Sequence, residues 1–231
     1  MIDAVLFDAY GTIFDEGKES IPVISREIVE KHDPGISADE FFQQWKTIYL
    51  AIENTVFLQK RSYQTIRSMN IESLSQMFTR HAIKDNPELY VDRLFRRWSY
   101  PDLFPEVQSV LAELRASHVI GIISNTDNFT LVSALNHASI EVDYVLSSED
   151  ARSYKPNPEI FRRCEADLGR RGERLAYVGN SAHDVTGAKG AGWLMIHVNR
   201  RGDNLKDLGY VPDHEISTLD PVSRIIGEMA G

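Results

Sequence analysis

Apolar positions along the chain follow two different rhythms. Four short, nearly uninterrupted apolar runs with β-branched residues, at 4–7, 119–123, 175–178 and 194–198, are bounded by charged or turn residues. That is the pattern of strands buried on both faces. A fifth strand is expected at 144–146. Between the runs the period lengthens to that of a helix, with Val107, Val110, Leu111 and Leu114 after Pro105, Leu131, Leu135 and Ala138 after Asn128, and Ile160, Phe161, Cys164 and Leu168 after Pro158. Alternating strand and helix predicts βα units on a mostly parallel sheet.

The stretch from about residue 20 to 95 is different. Ile21, Ile24 and Ile28, then Phe41, Phe42, Trp45, Ile48 and Tyr49, then Ile66, Met69, Leu89, Leu94 and Phe95 recur at helical spacing with no strand pattern between them. The chain therefore reads as an α/β fold, a Rossmann-like parallel-sheet core formed by residues 1–15 and 100–231, carrying an inserted α-helical cap at 16–99. Pro101 and Pro105 mark the return to the core, and residues 15–20 the exit from it.

Composition narrows the function classes. The chain has 34 acidic against 25 basic residues, a net charge of −9, which argues against binding nucleic acid through a general positive field. No apolar run reaches the ~18 residues of a spanning helix, and Asp3 interrupts the short apolar start, unlike a secretory signal. Neither nucleic acid nor membrane is expected as a partner, and cytoplasmic residence follows as the expectation. Cys164, the single cysteine, has no partner for an internal disulfide and reads as a packed thiol.

In an open parallel sheet, ligands bind at the carboxyl ends of the strands. Those positions hold Asp8-Ala9-Tyr10-Gly11-Thr12, Ser124-Asn125-Thr126-Asp127 and Gly179-Asn180-Ser181-Ala182-His183-Asp184, with Tyr154-Lys155-Pro156 preceding a helix. Taken singly, each reads as a turn or a helix cap. Together, four polar segments at one edge predict a catalytic cleft.

These four segments, in this order and followed by Gly187-Ala188 and Ala191-Gly192, resemble the four ordered motifs of the haloacid dehalogenase superfamily. The helical insert stands where one subclass carries its cap. Residues 198–202 and 208–213 resemble the C-terminal region of the 2-haloacid dehalogenase branch. The resemblance implies a hydrolase acting through a covalent intermediate on Asp8, with a small anionic organic substrate. Asp8 is then the nucleophile, and Lys155 neutralises charge beside it. Thr12, Ser124 and Asn125 offer neutral donors, and Asp184 either completes a metal site or holds Lys155. Tyr10, Lys46, Asn180 and Ser181 are further expected substrate contacts. His183 and the stripe of Phe41, Phe42, Trp45, Ile48 and Tyr49 are read first as packing residues.

Tyr10 stands two residues after the nucleophile, where phosphatases of the superfamily carry a second Asp. A phenol is a poor acid near neutral pH, whereas a departing halide needs no proton. This favours displacement at carbon. Asn180 replaces an acidic metal ligand, so magnesium, held by Asp8, Asn180 and Asp184, is expected only if a metal is used at all. The sequence departs from the dehalogenase pattern as well. Lys46 follows Trp45 where the branch has Arg, and Phe161 stands for a Tyr. A magnesium-dependent, phosphoglycolate-phosphatase-like enzyme and a binding or regulatory homologue of low activity remain as alternatives. A homodimer through cap apolar residues is left open.

Overall fold

The computed structural model describes residues 1–15, 20–202 and 209–229. Six strands form one sheet: β1 (Ala4–Phe7), β2 (Val119–Ser124), β3 (Tyr144–Ser147), β4 (Leu175–Gly179), β5 (Leu194–Val198) and β6 (His214–Ile216). Their order is β3-β2-β1-β4-β5-β6, and every neighbouring pair is parallel. The five expected strands are present. β6 is an addition that hydrophobicity could not announce, because an edge strand reading His-Glu-Ile offers no apolar run.

Strand alternation sorts the apolar side chains into two layers. Val5, Phe7, Ile120, Ile122, Ala176 and Val178 face one side, packed with helices α5 (Val107–Arg115), α6 (Asn128–His137) and α10 (Val222–Glu228). Ala4, Leu6, Ile123, Leu175 and Tyr177 face the other, against α8 (Pro158–Leu168) and α9 (Ala182–Gly190). Cys164 is buried in this second layer, as its packed-thiol reading requires. The α8–α9 contact is close: a Cβ on Gly187 would sit 2.3 Å from the Phe161 ring, so only glycine fits there.

Register places the chemistry. Phe7 pairs with Ile122 on one side and with Val178 on the other. The residues that follow, Asp8, Ile123-Ser124 and Gly179, therefore leave the sheet at one level.

A third apolar cluster belongs to the insert, built from α1 (Ser20–His32), α2 (Ala38–Phe57), α3 (Ile66–Arg80) and α4 (Pro87–Trp98). Ser37 and Glu40 form a reciprocal cap at the start of α2, and Thr65 and Asn86 cap α3 and α4, which satisfies backbone donors that helix starts leave open. The aromatic stripe of α2 is largely inward-facing: Phe41 and Trp45 are buried, and the Trp45 indole donates to Ser73 at 2.9 Å. Of the expected exit segment, residues 16–19 lie outside the described residues, as does Leu208 of the C-terminal motif. No helix among the described residues is long and apolar enough to cross a membrane.

Candidate active site

β1 delivers Asp8 to the carboxyl edge. Its amide donates to the Val178 carbonyl, extending the ladder by one residue. The chain then turns tightly, with the Ala9 carbonyl accepting from the amides of Thr12, Ile13 and Phe14. Gly11 takes a φ of +86°, where a side chain is disfavoured. The turn brings the Thr12 hydroxyl back to Asp8 Oδ2 at 3.3 Å.

Lys155 lies in the loop between α7 (Ser148–Ala151) and α8 and is buried. Its ammonium lies 2.7 Å from Asp8 Oδ1, 2.7 Å from Asp184 Oδ1, 2.8 Å from the Tyr177 hydroxyl and 3.1 Å from the Ile123 carbonyl. Four acceptors thus compete for three protons, and none is spare for a substrate anion. Tyr177, unremarked in the sequence, passes its own proton to Ile123 O at 2.7 Å. A buried phenol inside a strand signals such a partner, because its hydroxyl must be satisfied.

Asp184 holds Lys155 from the first turn of α9. Its second oxygen accepts from the Asn180 amide (3.1 Å), the Ser181 amide (2.9 Å) and the Ser181 hydroxyl (2.7 Å). Burial pushes the Asp184 carboxyl up, but Lys155 and Ser181 outweigh it and hold the group below its usual range. Burial pulls Lys155 down, and Asp184 and Asp8 more than reverse that. Asp8 goes the other way. Burial raises it to about 6, with Asp184 adding repulsion and Lys155 opposing both. At neutral pH the site is therefore two carboxylates around one ammonium, and Asp8 is the member closest to taking up a proton.

Several expected contacts have other duties. Ser181 is the N-cap of α9, in a reciprocal cap with Asp184, so its hydroxyl is spent on the helix rather than on substrate. Asn125 grips the Lys155 backbone with both ends of its amide, donating to the carbonyl at 3.0 Å and accepting from the N–H at 2.8 Å. Asn180 lines a separate cavity with Gly11, Asp15 and Arg200. Lys46 is exposed on α2, 6.0 Å from the Phe42 ring centroid and away from the cleft. The helical period explains this, since the cleft face of α2 carries Tyr49, Glu53 and Phe57 at spacings of four. Tyr10 donates to the Trp98 carbonyl at 2.7 Å, and burial raises its phenol further, with Asp8 adding to the effect. It bridges core to cap and is no proton donor near neutrality. Ser124 ends β2 and is buried, one residue after the Ile123 carbonyl that accepts from Lys155.

The donor set does not fit magnesium. The ammonium of Lys155 occupies the space between the two carboxylates, Asp184's other oxygen already takes three hydrogen bonds, and Asn180 supplies a neutral amide in place of an acid.

Cap and core enclose a cavity of about 290 Å³. The core contributes Tyr10, Asn125, Thr126 and His183, and the cap contributes Tyr49, Glu53, Phe57, Ile66 and Trp98. His183 lines the cleft wall and also packs as read, its ring against that of Phe57 with centroids 5.5 Å apart. Burial keeps its imidazole below the usual value, with Asp184 opposing.

The lobes are joined by polar and aromatic contacts. Tyr154 donates to the Gln64 carbonyl at 2.6 Å, and its ring stacks on Phe57 and Tyr63. Asp127, at the start of α6, turns its carboxylate away from its own helix and accepts from the amides of Ile66 (2.7 Å) and Arg67 (2.9 Å) at the start of α3. Its reach across the cleft leaves no trace in the sequence, where it reads as an ordinary cap for the helix that follows. Asp127→Ala should lower stability by about 2 kcal/mol, the upper end for a lost helix cap. Urea denaturation monitored by circular dichroism checks this, and an unchanged midpoint would remove the latch role.

Comparison with known proteins agrees with this architecture. A family model described as haloacid dehalogenase-like hydrolase matches residues 2–192. The chain is 28% identical over 229 residues to haloacetate dehalogenase H-2 of Moraxella sp. (strain B), covering 97% of this chain and 98% of that protein. It is 27% identical over 220 residues to (S)-2-haloacid dehalogenase 4A of Burkholderia cepacia, covering 94% and 91%. Among solved structures, L-2-haloacid dehalogenase from Xanthobacter autotrophicus with chloropropionic acid covalently bound superimposes with a TM-score of 0.77, at 23% identity over 99% of this chain and 100% of that one.

Proposed function

The chain belongs to the haloacid dehalogenase-like hydrolases, and from that premise we propose that it displaces a leaving group, halide in the first instance, from the carbon next to the carboxylate of a small organic acid. Asp8 attacks that carbon, the carbon–halogen bond breaks and the halide departs with its electron pair, leaving an ester on Asp8. Water then attacks the ester carbonyl, releasing the hydroxy acid and restoring the carboxylate. His183, on the cavity wall and kept neutral by burial, is suited to accept the proton of that water. The observation that carries the reading is the state of Asp8. Lys155 and Thr12 orient it, and no carboxylic acid lies at position 10 to protonate an alkoxide.

The test is halide release from 2-chloropropionate and chloroacetate, with phosphoglycolate and sugar phosphates as the competing panel. Release that persists in excess chelator is expected. Phosphate release that chelator abolishes, with no halide, would overturn the reading in favour of the phosphatase. Acidity gives a second check. Asp8 must be ionised to attack, so kcat should rise with pH through about 6 and then level off. Rates measured from about pH 4.5 to 8 reveal the limb, and a flat profile across that range would count against Asp8 as the attacking group.

A further inference from the structure

The cap–core cavity, which Tyr10 reaches two residues after Asp8, is lined by four aromatic side chains, Tyr10, Tyr49, Phe57 and Trp98, and a single formally charged one, Glu53. No Lys or Arg is among the lining residues, and among the described residues Glu53 has no ion pair. Tyr49, one turn earlier in the same helix, shares the cavity wall with it. The contrast with Asp127 is instructive. That carboxylate is also inside the cap–core seam, but two backbone amides satisfy it, whereas Glu53 presents its charge to the cavity.

We propose that this cavity recognises an ammonium group, so that the substrate carries a carboxylate at the Asp8 end and a primary amine at the Glu53 end. Aromatic walls and a carboxylate are the combination that stabilises a desolvated cation, each ring adding attraction through its negative face. A bare substrate carboxylate set against Glu53 meets repulsion instead, with no cation in the wall to offset it. Burial raises the Glu53 carboxyl above its usual value, and a bound ammonium reverses that cost by supplying the missing opposite charge. Size agrees, because 290 Å³ is roughly ten water volumes, room for an amino-substituted three- or four-carbon acid. The inference rests on the proposed displacement only for the carboxylate end of the substrate. Its amine end follows from the cavity alone.

Calorimetric titration near neutral pH with propionate and with 3-aminopropionate, on the wild type and on Glu53→Gln, separates the two. The wild type should bind 3-aminopropionate at least about tenfold more tightly than propionate. Glu53→Gln, which preserves shape, should erase that preference while keeping propionate binding. Equal binding of both acids by the wild type, or no measurable binding of 3-aminopropionate, overturns the proposal without any need for a variant. A preference that survives in Glu53→Gln also overturns it. Halide release from 3-amino-2-chloropropionate and from 2-chloropropionate is measured in parallel. Silence on both with the binding preference intact sinks the displacement reaction and leaves the ammonium site standing. Equal turnover of both with no binding preference does the reverse.

Discussion

Asp8→Asn should abolish turnover while leaving the fold in place. The amide has nearly the same shape, and its oxygen still accepts from Lys155, so the 2.7 Å contact to the ammonium survives. What it loses is nucleophilicity, because the amide oxygen carries no full negative charge with which to open a carbon–halogen bond. A loss of about 10³-fold or more in kcat is the expected scale for removing a group that forms the covalent intermediate. The melting temperature should move little, since one hydrogen-bonding side chain replaces another. A second signature belongs to the wild type. When water attacks the ester carbonyl, one oxygen of the Asp8 carboxylate leaves with the product, so repeated turnover in heavy-oxygen water labels the peptide that contains Asp8. Unlabelled peptide after many turnovers would mean that water attacks the substrate directly, with Asp8 as a base. Retention of most of the activity in Asp8→Asn would remove it from both roles.

The strand ends were legible in the sequence because a parallel sheet buries its strands on both faces and leaves polar residues only where the chain emerges. Asp8, Ser124 and Gly179 could be placed at one edge from apolar run lengths alone, and the register of β1 with β2 and β4 puts them there. Lys155 and Asp184 were readable as members of the same edge, and Lys155 as the charge beside Asp8, with the choice for Asp184 between a metal and Lys155 left open. That depends on distances within one buried cluster, where Lys155 meets both carboxylates and Ser181 is drawn off to cap α9. Lys46 shows the other limit. Periodicity tells which residues of α2 share a face but not which face meets the core, and the cleft face proved to be that of Tyr49, Glu53 and Phe57. Tyr177 was hidden for a different reason. Inside an apolar strand its ring passes for core, and only the hydroxyl's need for partners distinguishes it.

These assignments give the cleft an internal economy of charge. Lys155, the cation bonded to the nucleophile, is consumed within the protein, balancing two carboxylates that burial would otherwise drive toward protonation. In the proposed reaction the substrate then meets the aromatic and acidic wall supplied by α2. Closure of the cap matters for the same reason. Asp127 and Tyr154 bind α3 and the segment before it to the core, holding Glu53 over the strand ends and limiting water around a buried charge cluster whose interactions strengthen as water is excluded.

Lys155→Met tests that arrangement most severely. Methionine keeps an unbranched apolar stem of similar length, so the space is filled, but the ammonium that touches Asp8, Asp184 and Tyr177 is gone. Asp184 retains three hydrogen bonds from Asn180 and Ser181. Asp8 keeps only the Thr12 hydroxyl among its side-chain partners and now faces Asp184 without a counter-charge. Its pKa, already raised to about 6 by burial, must climb further, because the charge and the hydrogen bond of Lys155 that opposed the rise have both been removed. Removing one partner of a buried ion pair costs about 3–5 kcal/mol. The lower end applies below the new Asp8 pKa, where a proton neutralises the stranded carboxylate, and the cost grows as pH rises through that value and the charge is forced on. Activity runs in the opposite direction. At neutral pH more of Asp8 is protonated than in the wild type and turnover should fall by about 10²–10⁴-fold, then recover in part toward alkaline pH as the nucleophile ionises. Urea denaturation and halide release, each followed from about pH 6 to 9, therefore separate the two roles of Lys155 in one variant. Stability that falls with pH while kcat rises identifies a lysine whose task is to keep Asp8 charged. A uniform loss of activity at every pH would instead mean that its ammonium acts on the substrate or the ester as well as on the charge of Asp8.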